Sequence, residues 1–328
     1  MSLVKILVTG AKGFVGSALV DRLWSDGVFP VRTALRDAVA TGQDRFDTPV
    51  VVGDLKPDTD WKPALDGIQT VVHLAARVHV MRETATDSLS EFRRVNVEGT
   101  VNLARQAISA GVRRFIFVSS IKVNGESTLR SNPFHPDDAP LPIDPYGISK
   151  YEAEIELRRL ALESGMEVVI IRPPLVYGPG VKANFQTMIR WVWRGIPLPL
   201  GAVTSNKRSL VSLDNIVDFI VTCVDHPAAA NQTFLVSDGE NLSTAALLKR
   251  MGEALGRPAR LIPVPVSLLK LGATMLGKPG IAQRLCGSLE VDIGKTRELL
   301  GWMPPISVDE GLRRTAAHWI LSEKASRG

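Results

Sequence analysis

Cysteine is nearly absent: a chain of 328 residues holds only Cys223 and Cys286. Two thiols cannot build a disulfide framework, so a reducing compartment, the cytoplasm, is expected. Long apolar runs are missing too. The oiliest stretch, Leu261 to Leu276, is broken by Pro263, Pro265 and Lys270, and no membrane span is expected. A strand-like run begins within the first few residues, leaving no room for a signal peptide. Aromatic residues make up 6% of the chain, and only three are tyrosines. No basic run is interleaved with aromatics, although 39 Lys and Arg against 34 Asp and Glu leave a net charge of +5. Nucleic acid is therefore not an expected partner, whereas a small anionic substrate suits this balance. No metal site is expected.

What is present is a rhythm. Continuous apolar, β-branched runs occur at residues 5–9, 31–35, 50–53, 70–74, 115–119, 168–172 and 233–236. Runs without alternation indicate strands covered on both faces, as in a parallel sheet. Helical patterns fall between them at 15–25, 91–110 and 145–164, with Gly27, Gly111 and Gly165 placed to end them. Strand then helix, repeated, predicts a Rossmann-type doubly wound α/β fold. After Pro173 the rhythm breaks into Pro-Pro, Gly-Pro-Gly and mostly helical pattern. A smaller C-terminal substrate lobe is expected from 173–205 plus 237–328, beside a dinucleotide-binding domain from 1–172 plus 206–236.

The first strand runs into Gly10-Ala11-Lys12-Gly13-Phe14-Val15-Gly16 and then a helix. Gly10 permits the sharp turn, Gly13 lets backbone N–H groups approach a pyrophosphate at the helix N-terminus, and Gly16 allows close helix–sheet packing. An acid at the end of the second strand would grip the adenosine ribose of NAD. Here Arg36 precedes Asp37, and a guanidinium suits a 2′-phosphate. NADP(H) is the main expectation and NAD the alternative. Asp54 and Leu55, after the third strand, are placed for the adenine. Leu74, Ala75 and Ala76 end the fourth strand in side chains small enough to let a cofactor lie against backbone.

Asp144-Pro145-Tyr146 opens the helix at 145–164, with Asp144 as its cap. Tyr146 and Lys150 are four residues apart, one turn along a single face. An ammonium beside a phenol favours phenolate, so the pair is expected to lower the tyrosine pKa and move a proton at a substrate oxygen. Ser119 and Ser120 end the fifth strand at the same sheet edge, and Ser120 can hydrogen-bond that oxygen.

These motifs resemble the extended short-chain dehydrogenase/reductase superfamily, in its nucleotide-sugar epimerase, dehydratase and reductase branch. The similarity runs through Asn96-Val-Glu-Gly99-Thr100, Phe117-Val-Ser-Ser120 and Arg172-Pro-Pro-Leu-Val-Tyr177-Gly178-Pro179-Gly180. The resemblance implies Ser120, Tyr146 and Lys150 as a catalytic trio and Asn96 as support for their hydrogen-bond network. It implies Ser119, Pro173 and Leu175 near the cofactor, and Asn184, Phe185 and Arg208 on a UDP-hexose substrate. It also implies a homodimer built through the catalytic helix.

The phrases Arg77-Val-His-Val-Met81 and Ser120-Ile-Lys-Val-Asn124 are similar to bacterial UDP-4-keto-6-deoxy-N-acetylhexosamine reductases of surface-polysaccharide synthesis. Together with Arg36 they make a UDP-4-keto-sugar reductase the main reading. A UDP-glucose or UDP-N-acetylglucosamine 4-epimerase with tightly held NAD is the alternative. A 4,6-dehydratase fits less well, because Ile121-Lys122 follow the serine where that chemistry usually has Asp-Glu. A non-catalytic dinucleotide sensor would have no need of the Tyr146–Lys150 pair. Reduction of a steroid-like ketone would have no need of Arg208 and Asn184.

Overall fold

The computed structural model describes residues 4–37, 49–78, 88–129, 132–277 and 279–325. Its strands are β1 (Ile6–Thr9), β2 (Val31–Leu35), β3 (Pro49–Val51), β4 (Thr70–His73), β5 (Arg114–Val118), β6 (Glu167–Arg172), β7 (Leu175–Tyr177), β8 (Arg208–Ser212), β9 (Thr233–Leu235) and β10 (Asn241–Leu242). Seven form one parallel sheet in the order β3-β2-β1-β4-β5-β6-β9. Chain order reverses beside β1, so the edge of the sheet opens there at the carboxyl ends of the strands.

The continuous apolar runs have their physical consequence in two cores. Ile6 and Val8 face one side with the helices Phe14–Asp26 and Leu213–Asp225. Leu7, Val71 and Phe117 face the other with the helices Thr100–Ser109 and Pro145–Ser164. Gly27 and Gly165 cap their helices in the left-handed conformation, at φ 64° and 77°. A third core, around Tyr177, Phe185 and Trp319, underlies a three-stranded sheet of order β10-β8-β7.

Two expectations change. The segment 206–236, expected in the dinucleotide-binding domain, divides: β8 pairs with β7 in the small sheet, and β9 joins the large one. The helix expected at 91–110 is three pieces: Ser88–Phe92, a π-helical stretch Arg93–Gly99, and Thr100–Ser109. Asn96 and Gly99 lie in this wider turn and make its close contacts. The Asn96 amide holds both backbone groups of Arg77, and a Cβ on Gly99 would lie 2.9 Å from Leu55 Cγ.

Candidate active site

Gly10 follows β1 with φ 68°, and a Cβ there would meet the Ala75 nitrogen at 2.8 Å. The loop from β1 therefore lies directly on the Leu74–Ala75 backbone after β4. A Cβ on Gly16 would fall 2.1 Å from the Gly10 carbonyl oxygen, so this helix reaches the sheet only as glycine. Gly13 caps the helix Phe14–Asp26 without any side-chain hydrogen bond. The first N–H groups of that helix thus face outward with no protein side chain capping them, which is the chemistry of an anion cradle. Lys12 is exposed beside it, while Phe14 and Val15 are half-buried against the core.

Below the cradle, Thr9 and His73 are neighbours in the β1–β4 register, and their side chains are 2.7 Å apart. The other ring nitrogen of His73 is 3.0 Å from Thr100 Oγ1. Burial, helped by the positive charge of Lys150, pushes the His73 pKa down to about 3, so the ring stays neutral.

At the tip of β2, Arg36 is exposed, but it is not a free cation. Its Nε donates to Asp37 at 3.2 Å and lies 3.9 Å from the Asp54 carboxylate. Two acids already share this guanidinium, contrary to the expectation of an arginine held ready for a 2′-phosphate. Leu55 is half-buried behind Asp54 and packs on the core.

The helix Pro145–Ser164 begins as the sequence implies. Asp144 Oδ1 accepts from the Gly147 N–H at 2.7 Å, and Pro145 occupies the first turn. Asp144 also pairs with Lys122, in the short turn Ile121–Val123 that Ser120 caps by accepting from the Lys122 N–H. This pairing docks the helix start onto the end of β5 and places Tyr146 and Ser120 on elements that touch. Tyr146 packs edge-on against Phe92, 6.1 Å between centroids. Lys150 is buried, donates to the Val118 carbonyl at 2.8 Å and lies 4.3 Å over the Phe117 ring.

The electrostatics reverse one expectation. Burial and the nearby Asp144 charge raise the Tyr146 pKa above its ordinary value rather than lowering it. Burial likewise moves Lys150 down, to about 7, against an upward pull from Glu154. Desolvation is the largest cause of both shifts, and the other charges acting on the pair are Asp144 and Glu154.

Other residues divide. Asn96 donates to Ser149 Oγ at 3.0 Å, tying the π-helical turn to the helix of Tyr146. Pro173 is buried, and its carbonyl accepts from the Ile121 N–H. Leu175 is 42% exposed at the start of β7. Asn184 is exposed in the first turn of the helix Ala183–Trp193. Arg208 is half-buried, donates to the Arg284 and Gly287 carbonyls, and meets no carboxylate among the described residues.

Two expected contacts are corrected. Phe185 is in the third core, stacked on Tyr177 at 5.3 Å, so its ring packs the protein rather than facing a substrate. The Ser119 hydroxyl is buried and donates its proton to Glu154 at 2.6 Å, so it has none left to donate to a cofactor. The quoted positions His79, Val80 and Met81 lie outside the described residues. Sequence reasoning missed Glu154 and Arg172 as the buried support behind the site. The available signal was the placement of Glu154 one turn beyond Lys150.

Residues 6–237 match the family described as NAD dependent epimerase/dehydratase. The chain is 52% identical over 315 residues to a UDP-glucose 4-epimerase of Vibrio cholerae, covering 96% of this chain and 95% of that one. The fold matches a Thermotoga maritima UDP-glucose 4-epimerase solved with UDP-glucose, at TM-score 0.76 and 25% identity, over 97% of this chain and 99% of the other. It also matches a short-chain dehydrogenase/reductase superfamily protein from Agrobacterium tumefaciens with bound NAD. That pair gives TM-score 0.76 and 25% identity, over 99% of this chain and 100% of the other.

Proposed function

Because this chain belongs to the NAD dependent epimerase/dehydratase family, we propose that it is a UDP-hexose 4-epimerase that keeps NAD bound through its catalytic cycle. The near-full-length relationship to the Vibrio cholerae UDP-glucose 4-epimerase carries this reading. It replaces the 4-keto-sugar reductase as the main reading and NAD replaces NADP(H). Arg36 agrees in physical terms, since Asp37 pairs with it at the tip of β2 and offers a carboxylate to the ribose hydroxyls instead.

The residues present fit a dinucleotide. The cradle at Gly10, Gly13 and Gly16 is closed to any Cβ at Gly10 and Gly16, and the helix behind it begins with no side-chain cap. Gly13 and Phe14 would meet the pyrophosphate, Asp54 and Leu55 the adenine, and Leu74 to Ala76 the central ribose–phosphate region. When bound, NAD supplies reversible hydride transfer at C4 of the sugar.

The chain's own residues manage the proton. Tyr146 takes the proton from the C4 hydroxyl, and Ser120 steadies the same oxygen. Burial makes phenolate costly, and Lys150, one turn along the helix, is the cation placed to offset that cost. The same tyrosine returns the proton after the sugar has turned, as reversibility requires. Arg208, half-buried without a carboxylate partner among the described residues, is suited to the diphosphate, with Asn184 exposed on the helix Ala183–Trp193.

Denaturing the purified protein and identifying the released nucleotide by mass tests the reading. One NAD per chain is expected. An empty site, or one carrying NADP, contradicts it.

A further inference from the structure

The helix Val266–Met275 gathers Ser267, Lys270 and Thr274 on one narrow polar face, is apolar elsewhere, and buries none of its residues. An amphipathic helix with a wide apolar face ordinarily lays that face against protein or lipid. Val266 and Leu269 rest on the third core. Leu268, Leu271 and Met275, at i, i+3 and i+7, form an outward stripe, with Leu271 57% and Met275 80% exposed. Leu276 and Ile281 extend the stripe toward the neighbouring helix Pro279–Cys286. Ile262 and Ile196 extend it the other way, across the pairing of Leu198 with Leu261.

The chain segments that carry these residues hold one sign of charge up to the flanking Asp214, Glu253 and Glu290. Residues 173–213 and 254–289 contain ten Lys and Arg and no Asp or Glu, although the chain holds 34 acids. Arg194, Arg257, Arg260, Lys270 and Arg284 are exposed there, and none forms an ion pair with a described residue. Arg257 stacks on Trp193, 4.1 Å from the ring centroid, with Trp191 half-buried nearby. Half-buried tryptophan, a leucine stripe and a cationic rim make up the composition of a bilayer-surface anchor.

We propose that the Val266–Met275 helix seats this chain on an anionic lipid bilayer, lying in the plane of its surface. A ten-residue helix is about 15 Å long, half the hydrocarbon thickness, so it lies on the membrane rather than crossing it. Among the described residues no helix is long and apolar enough to span. A second copy of this chain is the poorer occupant. A two-fold contact through this face would set the basic rim against itself.

The test is flotation of the full-length protein with phosphatidylglycerol/phosphatidylethanolamine vesicles and with phosphatidylcholine vesicles, in the absence and presence of added salt. Wild type is expected to float with the anionic vesicles, to do so less in high salt, and to stay behind with phosphatidylcholine. The Leu271→Glu/Met275→Glu variant is expected to lose about tenfold or more of this binding, because both apolar insertion and charge attraction are opposed. Its thermal midpoint is expected to equal that of wild type, since both side chains are exposed. Wild type that ignores anionic vesicles, or a variant that floats equally well, overturns the proposal. So does a lipid-free wild-type dimer that the double substitution splits, which would make the face an interface between copies.

Discussion

The Glu154 carboxylate and the Arg172 guanidinium form a two-point ion pair at 2.9 and 2.6 Å, with side-chain exposures of 0% and 2%. Glu154 also accepts from Ser119, the residue before Ser120, and Arg172 precedes Pro173. One buried pair thus joins the helix of Tyr146 to the ends of β5 and β6. Asn124 Oδ1 accepts from the other arm of Arg172 and completes the network.

Glu154→Gln leaves a buried guanidinium without its counter-charge, and a loss of about 3–5 kcal/mol is expected in denaturant unfolding. Replacing both partners, as Glu154→Leu/Arg172→Met, is expected to recover most of that loss. A Glu154→Gln protein as stable as wild type would show that the pair does not hold these strand ends.

Tyr146→Phe removes the hydroxyl and little else. Turnover of UDP-hexose is expected to fall by about 10²–10⁴-fold, the range for losing a positioned general acid–base. Nucleotide content and thermal midpoint are expected to stay at wild-type values. Unchanged turnover would remove Tyr146 from the chemistry.

Lys150 titrates near 7 in the folded chain, against an ordinary 10.5, because burial disfavours its ammonium form. Between those values the unfolded chain binds the extra proton, so stability rises with pH across the window. Below about 7 both states are protonated and the burial penalty is complete. The stability of Lys150→Met relative to wild type is therefore expected to be greatest near pH 6 and to decline toward pH 10, followed by urea unfolding. A pH-independent difference would contradict this placement of the lysine.

Gly16→Ala places a methyl 2.1 Å from backbone oxygen, whereas Gly27→Ala meets nothing within 4 Å and strains only its own φ of 64°. The first is expected to abolish bound nucleotide or soluble protein. The second is expected to cost about 1 kcal/mol and leave nucleotide content intact. Equal effects would mean that the cradle is not a close-packed site.

Arg36→Ala is expected to keep its NAD, since the arginine is already shared between Asp37 and Asp54. Loss of NAD from this variant, measured after denaturation, would show that Arg36 itself helps hold the adenosine end of the cofactor.

Local chemistry made much of this legible. The glycine turn, the Asp144 cap and the Tyr146–Lys150 spacing are decided within a few residues, and the helix Pro145–Ser164 falls where the pattern puts it. The continuous apolar runs specified the parallel strands for the same reason. What stayed hidden depends on partners far apart in the chain. Ser119 and Glu154 are 35 positions apart, and Arg208 finds its carbonyls 76 and 79 positions away. Phe185 is given to the substrate by the resemblance alone, and Tyr177, although near in sequence, lies across a Gly-Pro-Gly turn whose path the spacing does not report. The phenol shift was misjudged because spacing reports a neighbouring charge but not the depth of burial.

The central claim, proton transfer by Tyr146 within a self-contained hydride cycle, is tested most directly with UDP-galactose and no added cofactor. Purified protein is expected to produce UDP-glucose catalytically, over many turnovers, until the two sugars reach equilibrium. Absence of conversion, or reduction of a 4-keto sugar with stoichiometric consumption of added NADPH, would contradict it.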